Sequence, residues 1–169
     1  MTRMFEQLKE EVTELHTSKE FKTFKKKSPN SYLCAGFMII EQLKKVPWQI
    51  DYYCPDKKTI TTFSVGKKVE AKETNKISAS GDPIKELNLE NIDVDFEHAL
   101  KIIDSLLTKK YPDEKASKVI TVLQHMKEAE VWNITYITQR FNILNVRINA
   151  EDGQIIEEKL QPVFSFKKE

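Results

Sequence analysis

A five-residue stretch occurs twice in this chain, as Trp48-Gln49-Ile50-Asp51-Tyr52 and as Trp132-Asn133-Ile134-Thr135-Tyr136. The copies stand 132 − 48 = 84 positions apart. Around each copy the same signals come in the same order: an apolar-periodic helix ended by proline, an apolar strand, the Trp-led strand, then two further strands joined by turns. At the same offset Ala35 falls on Val119 and Met38 on Val122. Lys26-Lys27-Ser28-Pro29 answers Lys109-Lys110-Tyr111-Pro112 one position earlier. Self-similarity at a fixed spacing is the mark of a duplicated unit. Each unit would hold about 80 residues, near the size at which one core becomes marginal, so two units gain by packing together.

The first helix is read from Met4, Phe5, Leu8, Val12 and Leu15, spaced by three and four. Thr17-x-x-Glu20 has the form of a capping box, so the helix restarts there and brings Phe21 and Phe24 to one side. Ser28-Pro29-Asn30 ends it. Residues 32–42 are apolar on both faces, as in a central strand. From Trp48 the alternation is plain, with Trp48, Ile50, Tyr52 and Cys54 on one face and Gln49 and Asp51 on the other. Residues 59–65 are β-branched and aromatic and read as a strand, and residues 69–77 read as a polar edge strand. Residues 78–83 carry linker chemistry, and residues 84–94 take no clear assignment. Asp95 is a candidate N-cap for a helix whose stripe is Phe96, Ala99, Leu100, Ile103, Leu106 and Leu107. Residues 118–125, 132–136, 141–149 and 154–158 read as strands, with Gly153 in a hairpin turn. Pro162 interrupts the pattern, leaving residues 163–166 as an edge extension.

The second half resembles a PepSY-type domain, one of the cystatin-like α+β modules. The residues that carry the resemblance lie in 95–158: the helix with Ala99 and Leu100, the strand from Lys118 to Val122, the aromatic strand Trp132 to Tyr136, and the terminal pattern from Asn145 to Ile155. The resemblance implies a protein-binding role, often inhibition or chaperoning of a protease, and no catalytic residues. The expected fold class is thus α+β, as two tandem cystatin-like modules, each a helix packed on a curved antiparallel sheet. The first module spans 1–77, the linker 78–94, and the second, PepSY-like module 95–169.

Composition narrows the function classes. Apolar residues make up 40% and charged residues 31%, a balance that folds. The net charge is +1, and the basic residues are nearly all lysine, which lacks the planar fork used on phosphates and bases. Neither nucleic acid nor a membrane is an expected partner. The longest apolar run, residues 33–40, is too short to span a bilayer, and residues 1–7 carry no apolar core of a signal peptide. The expected location is the cytoplasm. Cys34 and Cys54 read as reduced thiols, with a disulfide open to them according to hairpin register.

No residue set points to catalysis, a metal or a cofactor. His16 reads as solvent-exposed, His98 as a surface residue in a first helical turn, and His125 as lacking a partner. Lys22, Lys25, Lys26 and Lys27, with Phe21 and Phe24 between them, read as a solvated helix end. The expected function is non-enzymatic binding of a protein partner through a sheet edge or loops, with Val163, Phe164 and Phe166 as contact residues, or self-pairing into a homodimer. The alternative is a small-molecule pocket between helix and sheet near Trp48, Tyr52, Trp132 and Tyr136.

Overall fold

In the computed structural model, which describes residues 4–41, 44–45, 47–75 and 83–164, the first strands of the two halves pair with each other. β1 (Tyr32–Glu41) and β6 (Ala116–Met126) run antiparallel, with Ala35 opposite Gln124 and Glu41 opposite Lys118. Beyond β1 lie β3 (Gln49–Cys54), β4 (Thr59–Val65) and β5 (Val69–Asn75). Beyond β6 lie β7 (Ala129–Thr138), β8 (Asn142–Asn149) and β9 (Ile155–Pro162). The order across the sheet is β5-β4-β3-β1-β6-β7-β8-β9, and the two-residue β2 (Lys44–Lys45) pairs off β1.

The expectation of two tandem cystatin-like modules, each with its own sheet, is thereby corrected. Each half does supply helix and then strands in the same order, but the halves build one antiparallel sheet over one core. The reason lies in β1 and β6. Both are apolar on both faces, so leaving either as a free edge would expose apolar surface and unpaired backbone groups together. Pairing the two removes both costs.

Directly opposed residues on neighbouring strands share a face. One such row runs Ile148, Trp132, Leu123, Gly36, Ile50 and Phe63, all buried. The helices α1 (Met4–Thr17), α2 (Lys19–Lys27) and α3 (Phe96–Lys110) contribute Leu8, Leu15, Phe21, Phe96 and Ile103 to the core on that face. The molecule is therefore two layers. On the other face Phe37, Ile39, Ile120 and Val122 form a half-buried apolar block at the β1–β6 seam.

The helix boundaries follow from capping. The cap of α2 is Ser18, one residue beyond the expected box: its Oγ accepts the Phe21 N–H at 3.2 Å. Thr17 instead donates its hydroxyl back to the Glu14 carbonyl at 2.7 Å. Asp95 caps α3 as expected, accepting the His98 N–H at 2.8 Å. Residues 78–82 lie outside the described residues. From residue 83 the chain is tied down: Leu87 donates to the Leu33 carbonyl and Val94 to the Ala150 carbonyl, both at 2.8 Å. Leu87, Ile92 and Val94 are buried around a short helical turn at Leu89–Asn91.

The repeat needs one change of register. Ile50 faces Gly36, and its equivalent Ile134 faces Thr121. The first strands of the two halves therefore match at 121 − 36 = 85, not 84. A one-residue shift matters because it moves every side chain to the opposite face. Met38 corresponds to Leu123, both buried, and not to Val122, which points away from the helices.

Candidate functional site

Among the described residues, the sheet ends in two edge strands of different character. Among the described residues, β5 pairs with β4 alone, and its exposed residues include Glu70, Lys72 and Glu73. Ile77, the expected end of that strand, lies outside the described residues. Among the described residues, β9 pairs with β8 alone. The large apolar side chains exposed among the described residues are Phe141 at 65%, Ile155 at 40%, Ile156 at 54% and Phe164 at 65%. All four lie on β9 or beside its end. Glu157 faces Arg147 and Ile155 faces Ile148, so Ile156 is the extra residue of a bulge.

β9 continues through Pro162, which an edge strand tolerates because its nitrogen need not donate. Val163 and Phe164 do not extend the strand as expected. They form a short helical turn, and Val163 donates its N–H to the Phe141 carbonyl at 2.8 Å. Phe166 lies outside the described residues. Phe141 sits in the β7–β8 turn at φ 61°, a left-handed conformation unusual for a bulky residue. Lys58 and Lys127 adopt the same conformation in other hairpin turns.

Between α3 and β9 runs a groove of about 510 Å³. Its floor is Ile102, Leu106 and Ile155, and its rim carries His98, Lys101 and Lys109. Beyond the groove Lys110 Nζ meets Glu158 Oε1 at 2.8 Å, which holds the lysine above its ordinary pKa, and Tyr111 reaches Glu158 Oε2 at 3.4 Å. Sequence reasoning placed Ile102 and Ile155 on separate elements and had no means of bringing them together.

A second cluster was also missed. His125 has a partner: its Nδ1–H donates to the buried carboxylate of Glu130 at 2.6 Å, and Asn91 donates to the other oxygen at 3.1 Å. His125 and Glu130 are ladder partners across the Lys127-Glu128 turn, so placing that turn in the sequence would have revealed the pair. A cavity of about 350 Å³ opens beside them, lined also by Glu86, Leu87 and Asn88. Carboxylate and imidazole in this arrangement can orient a proton acceptor, and among the described residues the lining holds no hydroxyl or thiol to serve as nucleophile.

The four residues of the alternative pocket fill the core. Trp48 and Trp132 are fully buried, with ring centroids 6.5 Å apart, and Phe96 packs on both at 6.0 and 5.4 Å. Trp132 donates its ring N–H to the Val94 carbonyl at 2.8 Å. Tyr52 and Tyr136 are buried, and burial is the main cause of the raised pKa of each. The Tyr52 hydroxyl meets His16 Nε2 at 2.5 Å, so His16 is not simply solvated; it also stacks on Phe21 at 4.6 Å. Burial, then the charge of Lys25, lowers the His16 pKa. The Tyr136 hydroxyl instead donates to Asp104 at 3.3 Å.

Phe21 is buried and Phe24 half-buried while Lys22, Lys26 and Lys27 are exposed; Lys25 donates to the Ser31 carbonyl at 2.7 Å. His98 is exposed on α3. Cys34 and Cys54 are buried and not joined in a disulfide, and since Tyr32 faces Tyr53 they are not ladder partners.

These features define a two-layer α+β protein whose helices cover one face of a single antiparallel sheet. No family model and no curated protein matches the chain. Among solved structures, a candidate lipoprotein of Clostridium difficile 630 shares the fold with a TM-score of 0.55 and 14% sequence identity, covering 84% of this chain and 90% of that one. At that identity the likeness extends to the fold alone. No described helix is long and apolar enough to cross a membrane.

Proposed function

We propose that this protein is a non-enzymatic interaction module that binds another polypeptide along β9 and the turns at its ends. One observation carries the reading: Phe141, Ile155, Ile156 and Phe164, the exposed large apolar residues, all gather at this edge, while the opposite edge is charged. An open strand offers backbone donors and acceptors to an added chain, and exposed apolar side chains beside it add contact area. The PepSY-like pattern in residues 95–158 supports the same reading. Val163 and Phe164 belong to the contact through the turn they form against Phe141.

A photo-crosslinking residue at Ile156, compared with one at Lys72, tests it. The expected result is a discrete adduct from position 156 and none from 72. An adduct to a second copy of the chain would make the edge a homodimer contact. Equal labelling from both positions, or none from 156, would overturn the proposal.

A further inference from the structure

The groove beside β9 has a chemistry of its own. Its floor is apolar, from Ile102, Leu106 and Ile155, and its rim carries Lys101, Lys109 and His98, with no carboxylate in the lining among the described residues. The carboxylate of β9 on the helix-facing side, Glu158, is engaged by Lys110 and Tyr111. It is therefore satisfied without Lys101 or Lys109, both of which are exposed on α3. Cations around a partly exposed apolar floor favour an occupant with the complementary pattern, apolar at its centre and anionic at its margins.

We infer that the groove between α3 and β9 selects an extended polypeptide segment whose groove-facing side chains are apolar residues flanked by carboxylates. This rests on the proposal that β9 is the binding edge and specifies which partner chemistry it takes. The strand geometry supports a peptide occupant over a free amphiphile. A chain added to β9 projects alternate side chains to the helix side, where Ile155 lies, while its backbone pairs with the edge. Glu and Val at alternate positions of one face would then meet the lysine rim and the floor in turn.

The probe is the capped heptapeptide Glu-Thr-Val-Thr-Val-Thr-Glu, whose one face reads Glu-Val-Val-Glu, with the Lys-for-Glu peptide as its control. Amide shifts of the isotope-labelled full chain report where each binds. The acidic peptide should move the amides of residues 98–109 and 155–160, and the lysine peptide should bind roughly tenfold more weakly. The double variant Lys101→Glu/Lys109→Glu should invert that preference; both positions are exposed, and the dispersion of the same spectra reports whether the variant is folded. Equal binding of both peptides at β9 would sink the acidic preference while leaving the edge intact. Shifts confined elsewhere, or none from either peptide, would overturn the inference, and the Ile156 crosslink then decides the edge separately.

Discussion

Tyr52 and Tyr136 stand at matched places in the two halves, four residues after matched tryptophans, and both point into the same core. Each hydroxyl is answered by the helix above it. In the first half the answer is the imidazole of His16 on α1; in the second it is the carboxylate of Asp104 on α3. The outer strands diverge further, since β5 is exposed and charged while β9 keeps apolar residues at the surface. Duplicated order thus dictates where a buried polar atom must find a partner, but leaves the partner's chemistry and the character of each edge to change independently.

The sharpest way to break the comparison is at the tryptophans. Trp48→Ala and Trp132→Ala should each cost about 3–5 kcal/mol, the Trp132 change also removing the donor to the Val94 carbonyl. Because both rings pack on Phe96, either variant should unfold in one transition in denaturant. A residual transition belonging to the unmutated half would restore two independent modules.

Gly36 and Thr121 occupy equivalent core positions, and the same substitution should act on them in opposite directions. A Cβ at Gly36 would lie 3.2 Å from Leu8 Cδ2 and 3.5 Å from the Trp48 ring, so Gly36→Val should lose roughly 1–3 kcal/mol by overpacking. Thr121 is fully buried and its hydroxyl has no hydrogen-bond partner among the described residues, so Thr121→Val should be neutral or gain up to about 1 kcal/mol. Thermal melts of both variants test the 85-residue equivalence directly.

A smaller effect belongs to the turns. Phe141→Gly should stabilise the chain by about 1 kcal/mol by relieving the left-handed backbone, yet weaken any contact made at the β9 end. Lys127→Gly should stabilise comparably without that loss. A drop in melting temperature for Phe141→Gly would show that the ring packs usefully where it stands.

The smallest expected effect separates the two tyrosines by pH. The folded state lowers the His16 pKa, so the unfolded chain binds that proton more tightly. The His16 contribution is intact above the unfolded value of about 6.5 and is lost as pH falls below it. Urea midpoints should therefore decline from pH 7.5 to 5.5, and His16→Gln should flatten the decline. An unchanged slope would detach His16 from the pH response.

By itself the sequence determined most of the elements and their order. Asp95 marked the start of a helix, and the alternation from Trp48 and from Trp132 marked strands with one face turned to the core. These follow from local causes: capping geometry, side-chain period and turn chemistry act within a few residues. The double-sided apolarity of residues 32–42 even identified β1 as central. It did not name β6 as its neighbour, because backbone hydrogen bonds between strands look alike whichever strand provides them, and nothing in the side chains of 32–42 encodes Lys118 to Gln124. That pairing turned two expected sheets into one. The same is true of the site. Ile102 and Ile155, or Asn91 and Glu130, are ordinary residues in their own segments, and only packing α3 and the 83–94 segment against the second half brings them together. Contacts between distant segments depend on which surfaces must be buried together across the whole chain, and only the tertiary structure decides that.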